Sequence, residues 1–489
     1  MHMIQIGNKN AIQIHTDHGY TIASEANLNS LSTFVLLEQE RWFEKEVDFV
    51  ANYIKPGMTV VDIGANLGVY SLLCASSMKG EGQVFSYEPN PDISCLLRFS
   101  SEANKLTNIT VCELALSNEK GQTCLSMDCP PEASSINTSG DGILVEMTSL
   151  DEEMETRSWQ RIDFLKIDAE GVEDKIIDGA KKFFSKFSPL ILIEVANSGQ
   201  RSYVAAKMLE QLGYRIFRQL SALPVLVPFD YSDVDLCEIN VFAVPQDSQA
   251  SLQSLGMLIK TVPKWRETKS DVTTSENFWR NQKHIRELPI KKSGSKNTDY
   301  LCAMTAYACW TDERRNLATR IGALFFALQT LRALCAEQAN LSRLVSLARI
   351  AADWGLRAEA FEAVAKSLAL ISVHGEPRLD EFFCAPFAEF EKLSPRGCLK
   401  EWVATALMEQ ERNMVAYSWC MVPNAFERLS DLRFIETKKF CSVRTSRTRV
   451  LLEGAQNTPV DIPEILKASS ESHLNADLWK SGLGGLLKT

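Results

Sequence analysis

The sequence lacks the features that mark membrane, secreted and zinc-binding chains. No apolar run approaches the roughly 20 residues that cross a bilayer. Residues 1–16 contain neither a basic segment nor a continuous apolar run of the kind found in secretory signals. The 13 cysteines never form a C-x-x-C pair, and scattered thiols in apolar runs are typical of a reducing compartment. The sequence therefore predicts a cytoplasmic protein without a transmembrane segment.

The charge balance argues against nucleic acid as the main partner. Residues 1–250 carry 19 Lys and Arg against 35 Asp and Glu, a net −16, whereas residues 251–489 carry 33 against 27, a net +6. Binding to phosphates needs a dense basic face, which the acidic first half does not offer. Much of the later basic excess lies in residues 260–296, which have two interpretations: a solvated linker or a binding patch. We predict no nucleic-acid partner.

The chain divides into regions of different pattern, and its 489 residues exceed the usual size of one domain. Residues 1–58 predict a β-hairpin, in which MIQI and AIQI flank a Gly-Asn turn, followed by a helix over residues 38–54. Residues 59–245 form the α/β region described next. Residues 246–300 are polar and are interpreted as a linker, of which residues 275–282 dock on a surface. Residues 301–489 predict an all-α domain.

In residues 59–245, short β-branched apolar runs alternate with helical segments. The predicted strands are residues 59–64, 83–88, 109–114, 164–168 and 190–195, with a later pair near PVLVPF and INVFAV. The predicted helices are residues 69–77, 91–104, 171–184 and 203–212. This alternation is typical of a parallel sheet covered on both faces, so the predicted fold is a doubly wound, Rossmann-like α/β sheet.

The helical region resembles a repeat protein in places. Residues 340–354 and 357–370, joined through Gly355, predict a tetratricopeptide-like helical hairpin. A second pair is predicted over residues 398–410 and 411–420. Because no firm 34-residue period is present, a repeat array and a generic helical bundle both remain open.

The most informative motif is VVDIGANLGVY at residues 60–70. A buried strand ending in Asp62 runs into a glycine-rich turn, which allows a ligand to approach the backbone closely. Dinucleotide sites place a pyrophosphate at this position. The Asp62 carboxylate would repel a pyrophosphate, but it accepts hydrogen bonds from an ammonium group, directly or through water. The motif therefore favours the amino-acid tail of S-adenosylmethionine over NAD.

Acidic residues also end the neighbouring predicted strands. Glu88 follows Gly64 by 24 residues and is placed to hold the two hydroxyls of a ribose, although simple solvation is the alternative. Asp168 and Glu170 lie in the run KIDAEG and bracket the crevice where a reactive methyl group would lie. Capping of the following helix is their alternative role, and both roles are compatible. Glu194 ends the next buried strand.

Together the runs VVDIGANLGVYS, YEPNP, ALSNEKG, RIDFLKIDAEGVEDKIIDGA and PLILIEV resemble the FkbM family of S-adenosylmethionine-dependent methyltransferases, over about residues 38–245. The resemblance implies a class I methyltransferase fold and methylation of sugar or polyketide hydroxyls. It implies these cofactor-binding residues: Asp62, Gly64, Ala65, Asn66, Gly68 and Tyr70 around the methionine portion, Glu88 at the ribose, Pro89 and Asn90 beside the adenosine, Ala115 and Leu116 near the adenine, and Asp168. It leaves the helical region unexplained.

An alcohol acceptor needs a base within hydrogen-bond reach. All six histidines lie outside the predicted core strands, so Asp168 or Glu170 is the preferred base or orienting group, with Glu194 third. No metal is predicted, although these three acids would suit a magnesium-assisted variant. The predicted function is O-methylation of a small-molecule or glycan acceptor. A methyltransferase for a protein or peptide bound by the helical domain, and a non-catalytic adaptor, are the alternatives.

Overall fold

The computed structural model describes residues 4–125, 136–137, 142–197, 200–232, 237–286, 297–374, 381–414, 424–438, 440–456 and 460–483. An antiparallel sheet comes first, formed by β1 (Ile4–Ile6), β2 (Lys9–His15) and β3 (Thr21–Glu25). Ile4 pairs with Ala11 and Ile6 with Lys9, which confirms the predicted hairpin. Gly7 takes the turn with a φ of 54°, in the left-handed region that glycine adopts readily.

The single helix predicted over residues 38–54 is wrong. Two helices are present, α1 (Leu31–Gln39) and α2 (Glu46–Tyr53), and residues 40–45 between them are not helical. Glu40 has a φ of 56°, and its carboxylate accepts hydrogen bonds from the backbone N–H groups of Leu474 and Asn475. The apolar spacing in the sequence continues through residues 40–45, so it predicted one helix. The contacts that stabilise the non-helical conformation come from a segment more than 400 residues away.

The central sheet has eight strands: β4 (Thr59–Ile63), β5 (Gln83–Tyr87), β6 (Ile109–Cys112), β11 (Phe164–Ile167), β12 (Leu190–Glu194), β15 (Tyr214–Gln219), β16 (Leu226–Pro228) and β17 (Asn240–Pro245). Their spatial order is β6-β5-β4-β11-β12-β17-β15-β16. The first five strands in this spatial order, from β6 through β12, are parallel to one another. Strand β17 is antiparallel to both of its neighbours. The chain moves outward from β4 to β6 and then returns to β11 on the other side of β4. That reversal creates the crevice in which α/β sheets bind ligands.

Helices cover both faces of this sheet: α3 (Val69–Ser77), α4 (Pro91–Ala103), α5 (Leu150–Arg157), α6 (Glu173–Asp178), α7 (Lys181–Lys186) and α8 (Val204–Gln211). Consecutive strand residues point to opposite faces, so Val60 and Phe164 belong to one core, and Val61 and Leu165 to the other. The predicted doubly wound α/β fold is confirmed. The helix predicted over residues 171–184 is two short helices, α6 and α7.

Several small strands lie outside the prediction. β7 (Ala115–Leu116), β8 (Gly121–Leu125), β9 (Ile136–Asn137) and β10 (Ile143–Thr148) form a separate sheet, and β13 (Ala196–Asn197) pairs with β14 (Gln200–Arg201). β15 was also not among the predicted strands. The separate sheet carries the residues that follow β6 to the edge of the crevice.

The remaining helices are α9 (Gln249–Ser254), α10 (Lys269–Asn281), α11 (Lys283–Arg286), α12 (Thr298–Thr311), α13 (Leu317–Glu337), α14 (Leu341–Trp354), α15 (Arg357–His374), α16 (Leu399–Asn413), α17 (Leu429–Glu436), α18 (Val443–Ala455) and α19 (Ala476–Lys480). Residues 246–300, interpreted as a linker, contain α9 to α11, and Trp265 and Trp279 are buried in the helical core. Gly355, with a φ of 99°, joins α14 to α15 as the hairpin prediction requires.

The second predicted hairpin is corrected: α16 runs through residues 399–413, across the boundary between its two proposed helices. Residues 415–420 of that hairpin lie outside the described residues.

The helical region does not pack as one domain over residues 301–489. Helices α12 to α16 share a core with α10, whereas α17 to α19 pack into the core of the N-terminal sheet and of one face of the central sheet. Leu451 and Trp479 are fully buried there with Phe34 and Leu36 of α1. Sequence pattern assigned the helices correctly but not their partners, because an apolar helix face does not specify which surface covers it.

One helix, α13, bears on the prediction that no segment approaches membrane-spanning length, and it is weak evidence against it. Among the described residues it is the one helix long and apolar enough to span a bilayer, by length and composition alone. Ile321, Leu324 and Leu328 on this helix are buried in the helical core. Arg332 on the same helix forms an ion pair with Glu359 of α15, at 2.7 Å.

The Glu40 contacts give a stability prediction. Burial alone would raise the pKa of Glu40, but hydrogen bonds from His473, Arg447 and the 474–475 backbone lower it. The carboxylate therefore stabilises the fold above the ordinary glutamate pKa, and this contribution is lost as the pH falls through the lowered value. Glu40→Gln leaves the buried Arg447 guanidinium without its charged partner. We expect a loss of about 3–5 kcal/mol in the free energy of unfolding measured with urea at neutral pH.

The control is Glu25→Gln, which removes a half-buried surface partner of Lys9 and should cost at most about 1 kcal/mol. Equal stability of the Glu40 and Glu25 variants would contradict the prediction.

Candidate active site

A crevice opens at the carboxyl ends of β4, β5 and β11, where the strand order reverses. Ten residues predicted from the sequence line it: Gly64, Ala65, Asn66, Tyr70, Glu88, Pro89, Ala115, Leu116, Asp168 and Glu170. Four others are near it but do not line it: Asp62, Gly68, Asn90 and Glu194. The sequence therefore located the crevice, while the structure separates the residues that face a ligand from those that support them.

The turn after β4 passes very close to the end of β11. Gly64 has a φ of 72°, and a Cβ atom placed on it would lie 1.7 Å from the carbonyl oxygen of Asp168. Only glycine fits this position, because both the backbone conformation and the space exclude a side chain. This close approach holds the glycine-rich turn against the KIDAEG segment. The two sides of the crevice are therefore packed directly against each other at Gly64 and Asp168.

Glu88, at the end of β5, is held by two backbone donors. Its Oε1 atom accepts a hydrogen bond from Asn90 N at 2.8 Å, and its Oε2 atom accepts one from Asn66 N at 2.9 Å. Burial raises the pKa of this carboxyl to about 7, although both hydrogen bonds oppose the shift. A carboxylate fixed in this way at the crevice can accept two hydroxyl hydrogens from a ribose. Asn90 has a supporting role, because its side chain caps α4.

Lys166 is a crevice residue that the sequence analysis missed. Its side chain is 5% exposed, and its Nζ atom lies 2.8 Å from Asp168 Oδ2 and 4.0 Å from Asp62 Oδ1. It also lies 5.2 Å from the centre of the Tyr70 ring. Burial alone would lower the lysine pKa, but Asp168, Asp62 and Glu44 raise it above its ordinary value. A lysine in the middle of the apolar strand FLKI was the available signal.

Asp62 does not reach the ligand space. The residue is 1% exposed, and its Oδ2 atom accepts a hydrogen bond from Ser71 at 2.6 Å, while Oδ1 faces Lys166. Contact between Asp62 and the methionine portion of a cofactor stays a prediction, and in this structure the carboxylate supports Lys166. Burial raises the pKa of Asp62, so its charge depends on that lysine.

The segment between α1 and α2 also contributes to the crevice. Trp42 and Glu44 both line it, and Glu44 Oε2 accepts a hydrogen bond from the Tyr70 hydroxyl at 2.5 Å. Burial raises the pKa of Glu44. No motif singled out Glu44, because it lies outside the strand ends and belongs to a break in what the sequence presents as one helix.

Four carboxyl groups meet at the carboxyl ends of β11 and β12: Asp168, Glu170, Glu173 and Glu194. Glu170 lines the crevice, and burial followed by the charges of Asp168 and Glu173 raises its pKa to about 7. Burial, followed by the charges of Asp168 and Glu170, raises the pKa of Glu194 as well. Glu173 accepts hydrogen bonds from Ala169 N and Gly171 N, so this residue satisfies the backbone before α6. The capping alternative therefore applies to Glu173, and Asp168 and Glu170 stay available to a ligand.

The rest of the lining is apolar where an adenine would lie. Leu114, Ala115 and Leu116 follow β6, and Leu125 comes from β8. These groups, the Glu88 carboxylate and the close turn at Gly64 fit the adenine, ribose and amino-acid parts of S-adenosylmethionine respectively. Within the described ranges, no group of three or more His, Cys, Asp or Glu side chains has the arrangement of a metal site.

Replacement of Lys166 tests whether this one cation holds the acidic crevice together. Lys166→Met leaves the buried Asp62 and the half-buried Asp168 without a positive partner, so we expect a loss of about 3–5 kcal/mol in the free energy of unfolding. The double variant Lys166→Met/Asp62→Asn should recover part of the loss, because it removes one of the uncompensated charges. Chemical denaturation of both variants measures this, with Lys9→Met as a surface control. A double variant less stable than the single one would contradict the charge argument.

One family model and several solved structures are similar to parts of this chain. Residues 62–216 match the family model of the methyltransferase FkbM domain. A solved FkbM methyltransferase of Methylobacillus flagellatus KT is 18% identical, with a TM-score of 0.27, over 39% of this chain and 44% of that one. A SAM-dependent methyltransferase of Aquifex aeolicus is 15% identical, with a TM-score of 0.26, over 44% of this chain and 94% of that one. None of the curated proteins compared with the chain matches it.

The chain thus spans less than half of the Methylobacillus flagellatus protein, and the match to the family model leaves the helices after α8 uncovered. Within the matched range lie the turn at Gly64, Glu88, Lys166 and the KIDAEG segment. Residues 62–216 thus match the methyltransferase FkbM domain, and S-adenosylmethionine is the cofactor that the crevice fits.

Proposed function

We propose that the protein transfers a methyl group from S-adenosylmethionine to a hydroxyl group of a sugar, glycan or secondary metabolite. The observation that carries the proposal is Glu170, a half-buried carboxyl group with a pKa of about 7 that lines the crevice and has no hydrogen-bond partner among the described residues. A base with a pKa near the working pH is the group that methylation of an alcohol requires.

The charge of the crevice supports this cofactor over a dinucleotide. Four carboxyl groups line it, from Glu44, Glu88, Asp168 and Glu170, against the single ammonium group of Lys166. Such a lining repels a pyrophosphate and favours a ligand with a sulfonium and an ammonium charge. When bound, S-adenosylmethionine supplies an electrophilic methyl group.

The acceptor is positioned and deprotonated by different residues. Asp168 is already engaged by Lys166, so it is suited to orient the acceptor through a hydrogen bond. Glu170 is free to take the hydroxyl proton as the methyl group is transferred. Trp42 lines the same crevice and offers an indole ring to a sugar. In-line alignment of the two reactants then contributes to the rate by proximity.

The proposal is tested with the purified full-length chain. The demethylated product, S-adenosylhomocysteine, should raise the melting temperature, because a ligand of the native state stabilises it by mass action. Radiolabelled methyl transfer to a panel of sugars, polyols and phenols should then give products with an ether linkage. Absence of thermal stabilisation would overturn cofactor binding and favour an adaptor. Labelling of peptides but not of hydroxyl compounds would overturn the acceptor class.

Glu170→Gln should abolish most of the turnover while leaving the cofactor bound. We expect kcat to fall by roughly 100-fold to 10,000-fold, the usual contribution of a general base. In the unmodified protein kcat/KM for the acceptor, at saturating S-adenosylmethionine, should rise as the pH increases through about 7, since the base must lose its proton. This rise should be absent from the variant. The matched control is Asp174→Asn, an exposed acid nearby that does not line the crevice. Full activity of the Glu170 variant would assign the base elsewhere.

Glu88 should make cofactor binding depend on pH. Its pKa is about 7 in the free protein, and two ribose hydroxyl donors prefer the deprotonated form. Affinity for S-adenosylhomocysteine should therefore increase roughly tenfold between about pH 6 and pH 8, measured by isothermal titration calorimetry. Glu88→Gln should bind S-adenosylhomocysteine more weakly and with little pH dependence. Glu170→Gln should keep the pH dependence of this affinity. An unchanged pH dependence in the Glu88 variant would show that another group titrates.

A further inference from the structure

A second cavity, of about 600 Å³, lies between the N-terminal segment and the helical region. Residues 39–48, the loop at residues 221–223 and helices α12 to α16 supply most of its lining. None of its lining residues lies within residues 62–216, the range that matches the methyltransferase domain. The cavity is therefore a feature that the helical region adds to the catalytic domain.

Basic side chains predominate in this cavity. Six of them line it: Arg41, Lys45, Arg320, Arg349, Arg357 and Arg444. Three have an acidic partner within 3 Å, respectively Asp48 for Arg41, Glu238 for Lys45 and Asp353 for Arg349. Those three are already neutralised, and Arg444 lies 4.0 Å from Glu38.

The other two arginines are not neutralised. Within the described part of the chain, neither Arg320 nor Arg357 forms an ion pair. Arg320 uses only Nε, which donates to the carbonyl of Trp310, and its guanidinium lies 5.2 Å from the centre of the Trp310 ring. Arg357 is the first residue of α15, so it stands at the positive end of an 18-residue helix. Glu313 also lines the cavity but is exposed, where water screens its charge.

The cavity borders the active-site crevice. Glu44 lines both, Trp42 lines the crevice, and Phe43 and Lys45 line the cavity. The two spaces are thus separated by the side chains of one short segment. A molecule held in the cavity has only this segment between it and the carboxyl groups of the crevice.

We infer that this cavity binds the oxyanion group, phosphate or carboxylate, of an anionic methyl acceptor through Arg320 and Arg357. Two guanidinium groups without an acidic partner match the charge of a phosphate group. The aromatic rings of Phe43 and Phe387 line the same space and offer apolar contacts beside that group. The assignment to the acceptor rests on the proposed methyl transfer, but the binding of an oxyanion does not.

The test is calorimetric titration of the full-length chain with inorganic pyrophosphate and, separately, with glucuronate. We expect at least one probe to bind, and the stronger of the two identifies phosphate or carboxylate as the group recognised. Arg320→Gln/Arg357→Gln should weaken binding of that probe at least tenfold. Arg314→Gln, an exposed arginine beside the cavity that does not line it, should bind normally. Ala222→Asp adds a negative charge at an exposed lining position without removing a contact, and it should also weaken binding.

Each variant is also titrated with S-adenosylhomocysteine, which should bind within twofold of the unmodified affinity and so shows that the chain has folded. Failure of both probes to bind the unmodified chain, or equal binding by the double variant and by Arg314→Gln, would overturn the inference. Neither result touches the proposed function, which fails instead if S-adenosylhomocysteine does not bind to the unmodified chain.

Discussion

The arrangement of the active site depends on one buried positive charge. Lys166 lies between carboxyl groups from three parts of the chain: Asp62 at the end of β4, Asp168 after β11 and Glu44 from the segment between α1 and α2. Without it, these groups would repel one another in a space from which most water is excluded. With it, Asp168 keeps a fixed orientation and the Gly64 turn can pack against the KIDAEG segment. The acidity that favours the cofactor is thus tolerated because a single lysine compensates for part of it.

Most of the sheet and of the crevice could be predicted from the sequence, since both arise from local patterns. Buried parallel strands are continuous apolar runs, and strand-end acids such as Glu88 follow them directly. Lys166 was missed because its role depends on the register that puts β11 beside β4, where Lys166 pairs with Asp62. Glu44 was missed because no local pattern distinguishes an acid in a helix break from an acid on a solvated helix face.

The helical region illustrates the same limit on a larger scale. Its helices were predicted, but not their division into a first group, α12 to α16, and a second group, α17 to α19. The two groups pack in separate cores, and their apolar faces look alike in the sequence. The first group adds the basic cavity beside the crevice. The second group packs on the N-terminal sheet and on α1. The region after the methyltransferase domain therefore contributes to both sides of the segment that carries Trp42 and Glu44.

That segment, residues 40–45, is anchored at its two ends by distant parts of the chain. Glu40 accepts hydrogen bonds from the backbone of Leu474 and Asn475, about 430 residues later, and the carbonyl of Lys45 accepts one from Gln219. On the ribosome, the central sheet is complete long before residues 474–475 are made. At roughly 5–20 residues per second, tens of seconds pass between the two events. The wall of the crevice that carries Trp42 and Glu44 is therefore the last part of it to be anchored during synthesis.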